Sequence, residues 1–160
     1  MKITDILIVE HAVFSRVFDQ IERLLPGLKS VAEGKLLSKL VERMLQSHRH
    51  TEVGLAYAAL DHALADRGEL DRLHQDHEEI DTRLRLVQSA TQSAEAKRLL
   101  LAALRASREH FRHEERAVFP MLEKVLGSDA LTELAGFCPL AEEPTRKRKA
   151  AVTPRELATV

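Results

Sequence analysis

The feature of this chain that most constrains its fold is a pattern of histidines that occurs once in each half. In the first half, His11 is followed at helical spacing by Phe14 and Phe18, so all three lie on one apolar face of a predicted helix. Further along comes a His-x-x-x-Glu motif formed by His48 and Glu52. Residues four apart lie on the same face of a helix, so this motif presents an imidazole and a carboxylate together.

The second half of the chain repeats the arrangement. His77 lies on a stripe with Ile80 and Leu84, and His110 and Glu114 form the second His-x-x-x-Glu motif. The lone histidines are 66 residues apart and the motif histidines are 62 apart. This agreement indicates two helical hairpins related by a pseudo-twofold axis, which would bring two equivalent half-sites together.

Inward imidazoles and carboxylates on four helices could form a site for two metal ions. A buried carboxylate is unfavourable unless it is paired or bound to a cation, and imidazole suits iron, zinc, copper and nickel. Two simpler interpretations compete, because a single histidine on an apolar face is commonly a core residue and a single His-x-x-x-Glu motif often arises by chance. The full set of four histidines and two glutamates, at matching positions in the two halves of the chain, favours metal binding. The predicted ligands are His11, His48, Glu52, His74, His77, His110 and Glu114.

The residue pattern leaves two alternatives open for His74. It precedes His77 by one short turn, at the edge of the same helical face. It can therefore be a fifth imidazole ligand, or it can cap the helix or lie exposed in its first turn. Glu115 is predicted to be a surface carboxylate because it is rotated away from the ligand face.

The stripes predict an all-α fold, namely an up-down-up-down four-helix bundle with a short C-terminal helix and a flexible tail. Pro120 is expected to kink the fourth helix, while Gly54 is expected either to loosen the second helix or to permit close packing. Residues 1–137 are predicted to form the bundle. Residues 138–160 are predicted to be a disordered, proline-containing tail, whose basic run is either solvated or a contact for an anionic partner.

The composition of the chain argues against several classes of protein. A length of 160 residues predicts one domain. The net charge is −1 and aromatic residues make up 4%, so neither a nucleic acid nor a membrane is expected as a partner. No apolar stretch approaches the roughly 20 residues that span a bilayer, and the N-terminal segment lacks a signal peptide's apolar core. With a single cysteine, Cys138, these features predict a cytoplasmic protein.

The motifs resemble those of the hemerythrin-like, or HHE cation-binding, domain over roughly residues 3–126. The most specific stretch is HFRHEERAVFPML, which combines a histidine, paired glutamates and Phe-Pro as the family has them. The other segments that carry the resemblance are Glu10-His11-x-x-Phe14, His48-x-x-x-Glu52 and His74-x-x-His77-x-x-Ile80.

The resemblance implies a four-helix bundle around two non-haem iron ions, joined by an oxo or hydroxo bridge. It also implies a role for each residue that matches a family motif. One iron would take His11 and His48 and the other His77 and His110, with Glu52 and Glu114 as bridges and His74 as an additional imidazole.

Two departures from the family pattern bear on function. Animal oxygen-carrying hemerythrins have the histidines of the third helix four residues apart, whereas His74 and His77 are three apart. The second helix continues as Glu52-Val53-Gly54-Leu55-Ala56-Tyr57, without the Glu-Glu-x-x-Phe-Pro run of many members. The first departure weakens the inference from the family to a ligand role for His74, and with it the inference to a function as an oxygen carrier.

Three functions follow as hypotheses. The favoured one is a binding module whose di-iron site takes up O₂ or NO for sensing, storage or transport, because imidazole-rich ligation disfavours high-valent oxidative chemistry. The second is a catalase-like di-iron enzyme that acts on peroxide or O₂. The third is a regulatory module in which metal occupancy controls the order of the bundle and partner contact by the tail. The apolar residues predicted to line the ligand pocket are Phe14, Leu45, Leu55, Ile80 and Val118.

Overall fold

The computed structural model describes residues 1–63 and 68–138. Every regular element in these two ranges is helical, which confirms the all-α prediction for them. No helix in this part of the chain combines the length and the apolar character needed to cross a membrane. The predicted tail lies outside the described residues from position 139 onward. Helices α1 to α7 span Ile3–Leu24, Val31–Thr51, Ala58–Ala63, Gly68–Ser89, Ser93–His113, Phe119–Val125 and Ser128–Gly136.

Two π-helical turns interrupt the long helices. Glu52–Tyr57 joins α2 to α3, and Glu114–Val118 joins α5 to α6. Each turn begins at the glutamate of a His-x-x-x-Glu motif, and π-helical turns occur frequently at functional sites. The second turn lies directly before Pro120, which lacks a backbone N–H and crowds the preceding α-helical turn. The interruption expected near Pro120 therefore takes the form of a π-helical turn.

The start of α2 shows how local sequence fixes the helix positions. The backbone N–H of Ser30 donates to the Glu33 carboxylate at 2.8 Å, and the Glu33 N–H donates back to the Ser30 hydroxyl at 3.3 Å. This reciprocal capping box defines the first turn. One turn further, a Cβ added at Gly34 would lie 3.2 Å from the Cβ of Ala96. The glycine therefore lets α2 approach α5 closely.

The helices pack around two apolar clusters. The most extensive contact is between α4 and α5, α2 packs on both of them, and α1 contacts α2, α5 and α7. One cluster includes Leu7, Leu73 and Leu122, and the other includes Phe18 and Leu100. Along α1, α2, α4 and α5, the buried histidines and glutamates fall between residues of the two clusters. The core therefore contains a buried polar layer between two apolar regions.

Candidate metal centre

Six of the seven predicted ligands lie in the buried polar layer. Their exposed fractions range from 0% to 6%, although glutamate is normally exposed and histidine is only intermediate in burial. Their ring nitrogens and carboxylate oxygens form two groups of closely spaced metal-capable atoms, and Glu52 belongs to both. These six residues are His11, His48, Glu52, His77, His110 and Glu114.

The first group draws on α1, α2 and the start of each π-helical turn. It contains His11, His48, Glu52 and Glu114. The Nε2 atoms of His11 and His48 are 2.9 Å apart. His48 Nε2 lies 2.6 Å from Glu52 Oε1, and His11 Nε2 lies 3.4 Å from Glu114 Oε2. Two imidazoles and two carboxylates from separate parts of the chain thus face a common point.

The second group draws on α4 and α5. It contains Glu52, His77 and His110. His77 Nε2 lies 3.3 Å from Glu52 Oε2, and His110 Nε2 lies 3.4 Å from Glu114 Oε2. Glu52 therefore presents one carboxylate oxygen to each group. A carboxylate in this position can bridge two cations.

Carboxylates lie on the outer side of three imidazoles, and two of them orient the ring by a hydrogen bond. His48 Nδ1 donates to Glu10 at 2.7 Å, and His11 Nδ1 donates to Glu115 at 2.9 Å. Asp76 lies 3.5 Å from His110 Nδ1. A hydrogen bond at Nδ1 fixes the tautomer and leaves the Nε2 lone pair for a metal, as is common in metal sites.

Sequence reasoning did not single out Glu10 or Asp76 for this role, although Glu10 appeared in a family motif. It placed Glu115 at the surface. The Glu115 side chain is 38% exposed, yet one of its oxygens reaches His11. The missed signal is that each of the three carboxylates directly adjoins a ligand candidate in sequence. In the two hydrogen-bonded pairs, the carboxylate orients a histidine of another helix.

Aromatic rings cover the first group. The His11 ring stacks on Phe111 with centroids 4.1 Å apart and on Phe119 at 5.6 Å. Phe14 meets the His48 ring edge-on at 5.2 Å. These rings exclude water from the imidazoles and restrict their rotation.

Tyr57 is a buried site residue that the sequence pattern did not reveal. Its hydroxyl donates to Glu114, and its ring stacks on His77 with centroids 6.0 Å apart. Tyr57 follows Glu52 by five positions, which in an α-helix would rotate it by about 140° from the ligand face. The π-helical turn Glu52–Tyr57 changes this rotation and places both side chains at the centre.

The seventh predicted ligand, His74, is exposed and belongs to neither group. Its ring meets Tyr57 edge-on, with centroids 5.9 Å apart. Tyr57 in turn lies against His77. The ligand role of His74 remains a prediction.

Burial and charge shift the pKa values of the two imidazoles in the first group. Burial lowers the pKa of His11, but the adjacent carboxylates of Glu114 and Glu52 outweigh it and raise the pKa to about 9. Burial also lowers the pKa of His48, but the charge of Glu52 and the hydrogen bond to Glu10 raise it to about 10. The His11–His48 pair, whose Nε2 atoms share a hydrogen bond, therefore carries positive charge beside the carboxylates at neutral pH.

The pKa values of the remaining groups in the centre depend on burial and on the charges nearest to them. Burial acts to raise the pKa of Glu52, but the charge of His48 holds it well below its usual range. Burial, then the charge of Glu52, raises the pKa of Glu114. Burial lowers the pKa of His110, and burial raises that of Tyr57. His110 is thus favoured as a neutral imidazole, which is the form that binds metal.

Several buried atoms that face the centre have no hydrogen-bond partner within the described residues. They are both carboxylate oxygens of Glu52, one oxygen of Glu114 and Nε2 of His110. A buried polar atom without a partner is destabilising, and these are nitrogen and oxygen donors of the kind that bind divalent cations. The residues present therefore fit a metal centre.

A cavity of about 10 Å³ borders His77 and His110 of the second group, His48 of the first group and the shared Glu52. Leu45 and Ile80 line it, as predicted, together with Phe111 and Arg49. The other three predicted residues, Phe14, Leu55 and Val118, do not line this cavity, and their place in the ligand pocket stays a prediction. Phe14 instead packs against His48, and Leu55 and Val118 belong to the other apolar cluster.

A larger cavity of about 240 Å³ lies between α4 and α5 and reaches the second group. Asp76 and His110 form part of its lining, with Arg72, Glu109 and His113 further out. The two cavities therefore approach His110 from different sides.

A family model for the hemerythrin HHE cation binding domain matches residues 2–122. No curated protein and no solved structure matches the chain. The family match covers most of the 160 residues and includes every residue of the two metal-capable groups. The resemblance stated from the motifs is thereby confirmed, and the chain belongs to the hemerythrin HHE cation-binding domain family.

Proposed function

We propose that this protein holds two non-haem iron ions and binds O₂, or a related diatomic ligand such as NO, for sensing, storage or transport. The proposal includes an up-down-up-down order of the four long helices. It is carried by one observation: two buried groups of ligand atoms share Glu52, and a very small cavity borders ligands of both groups.

The size and lining of this cavity favour a diatomic ligand. A volume of about 10 Å³ is close to the smallest that admits a single water molecule. Leu45, Ile80 and Phe111 form an apolar wall opposite the polar side chains of the centre. So small a space beside the candidate ligands favours a ligand of very few atoms over a larger organic substrate.

The chain's own residues have distinct parts in this function. Bound iron would supply the redox electrons and the coordination position that O₂ requires. Glu52 and Glu114 provide the negative charge that holds the cations, and the imidazoles complete the ligand set. The Tyr57 hydroxyl donates a hydrogen bond to Glu114 and holds that carboxylate in place. The aromatic rings around His11 keep water away from this side.

Anaerobic reduction followed by rapid mixing with O₂ tests the proposal. The di-ferrous protein should show a spectral change that reverses when O₂ is removed. Leu45→Phe should weaken it, because the larger side chain would occupy the cavity, while Leu40→Phe on the exposed part of α2 should leave it intact. Irreversible oxidation of both irons without a recoverable ferrous state would contradict the proposal.

A catalase-like activity is the second candidate, and Tyr57 favours it. A buried phenol hydrogen-bonded to a candidate ligand places a polar hydroxyl at the centre, where it can orient a peroxide. This candidate predicts O₂ evolution from H₂O₂ by iron-loaded protein, reduced in Tyr57→Phe and abolished in His110→Ala. Equal rates in the wild type and His110→Ala would rule it out.

A further inference from the structure

The two groups of ligand atoms differ in composition, support and access to solvent. We propose that they bind metal unequally, so that the His11–His48 group fills first and holds its ion tightly, while the His77–His110 group holds an exchangeable ion. This inference rests on the proposed di-iron function. It adds an order of loading that depends on named residues around the ligands.

The first difference is the number of ligand residues. The tight group brings four together, His11, His48, Glu52 and Glu114, whereas the exchangeable group brings three. Glu114 Oε2 lies 3.4 Å from both His11 Nε2 and His110 Nε2, so this carboxylate adjoins both groups, but its ligand atoms gather closely only with those of the tight group. More closely gathered donors favour a divalent cation in the first group.

The second difference is the support behind the imidazoles. Both rings of the tight group donate Nδ1–H to a carboxylate, at 2.9 Å for His11 and 2.7 Å for His48. In the other group, Asp76 is 3.5 Å from His110 Nδ1 without forming a hydrogen bond. His77 Nδ1 has no hydrogen-bond partner in the described part of the chain. Carboxylate support raises the basicity of an imidazole and fixes its direction, so the first pair is preorganised for metal.

The third difference is access. Phe111 and Phe119 stack on His11 and Phe14 packs against His48, and the cavity that borders His48 has a volume of only about 10 Å³. The 240 Å³ cavity between α4 and α5 instead borders His110 and Asp76. Water and a competing chelator can therefore approach the second group along a path that the first group lacks.

Anaerobic calorimetric titration of the metal-free protein with ferrous iron tests the inference. We expect two binding events that differ in affinity by roughly tenfold or more. Brief treatment of the loaded protein with a chelator should then leave one iron per chain. A single event with two equivalent ions, or removal of both irons at the same rate, would overturn the inference.

Two variants assign the events to their groups. Glu10→Gln removes the carboxylate behind His48 and should weaken only the tighter event, by roughly 10- to 100-fold. Asp76→Asn removes the negative charge that lies 3.5 Å from His110 Nδ1 and should lower the affinity of only the weaker binding event. Glu22→Gln is the matched control on α1, because Glu22 pairs with Arg108 away from the centre, and it should change neither event.

The outcomes separate this inference from the function on which it rests. If no iron binds to the wild type, the di-iron function itself fails. If two irons bind but Glu10→Gln weakens the looser event, the order of loading is wrong while the di-iron centre stands. If Glu10→Gln does not fold, Asp76→Asn decides, because any weakening of the tighter event by this variant overturns the assignment.

Discussion

Glu52 is the residue on which both halves of the centre depend. Its Oε1 faces His48 at 2.6 Å and its Oε2 faces His77 at 3.3 Å, and the side chain is fully buried. A fully buried carboxylate is stable only with positive charge beside it. In the metal-free protein the imidazoles provide that charge, and in the loaded protein the cations would provide it.

Replacing this carboxylate by an amide of the same shape should remove the metal. We expect Glu52→Gln to reduce the iron content from two ions per chain to less than one, because both groups lose their shared anionic donor. Elemental analysis of the purified variant measures this. Glu109→Gln, which changes an exposed carboxylate that pairs with Arg112, should keep two irons. Retention of two irons by Glu52→Gln would contradict the role of Glu52.

Metal binding should depend on pH through His11 and His48. Their pKa values are raised from 6.5 to about 9 and about 10, so metal must displace protons below those values. The two Nε2 atoms are 2.9 Å apart and share a proton that a metal ion would replace. Loading the metal-free protein with ferrous iron at pH 7 in weak buffer should release about one proton for each ion bound by the His11–His48 group. The apparent affinity for iron should rise from pH 6 to 9. Affinity independent of pH over this range would contradict the assignment.

The same shifts predict how the metal-free fold responds to pH. Because both folded-state pKa values are raised, these imidazoles stabilise the fold fully below about pH 6.5 and lose this effect as pH rises through 9 and 10. The free energy of unfolding of the metal-free protein should therefore fall between pH 7 and 10. Urea titrations at several pH values check this, and the iron-loaded protein should show a smaller fall. A rise in metal-free stability over this interval would refute the direction of the shifts.

At the scale of the helices, the sequence predicted where the ligands lie but not how the helices pass the centre. Steps of three and four residues placed His11, His48, His77 and His110 on inward stripes because α-helical periodicity holds up to each motif. That periodicity ends at the π-helical turns, so Tyr57 could not be assigned to the ligand face. A local change in winding has no simple residue pattern, and Gly54 alone left two explanations open.

The structure decides between those explanations for Gly54. A Cβ at this position would meet nothing within 4 Å, so close packing is not its role. It lies exposed within the π-helical turn. Close packing instead occurs at Gly34, where a Cβ would press on Ala96.

Two changes at Gly54 should therefore have opposite effects. Gly54→Ala should stabilise the fold by about 0.5–1 kcal/mol, because alanine restricts the unfolded chain and fits the open space. Deletion of Gly54 should remove the extra residue of the turn, rotate Tyr57 away from Glu114 and reduce iron content. Denaturant unfolding and elemental analysis measure both effects. A deletion variant with full iron content would show that the π-helical turn is not needed.

At the scale of the whole molecule, a buried polar layer separates two apolar clusters. Six ionisable side chains in this layer repel or attract one another within a few ångströms. Such a layer weakens a helical core unless cations or protons balance its charges. The family membership and the all-helical fold were predictable from periodicity and motifs, whereas the carboxylates behind the imidazoles depend on contacts between helices that periodicity does not specify.

Removal of metal should therefore lower the thermal stability of the whole protein. Binding to the native state alone contributes roughly 4 kcal/mol when free metal exceeds the dissociation constant a thousandfold. We expect a clear decrease in Tm after treatment with a chelator and recovery on adding ferrous iron. Glu52→Gln should show no such response. An unchanged Tm in the wild type would contradict a stabilising metal centre.

The central claim is that this layer holds two iron ions. The most direct measurement is the metal content per chain of protein expressed and purified without added metal. The account predicts two irons per chain, with no more than traces of other transition metals. One zinc ion per chain, or no bound metal, would contradict it.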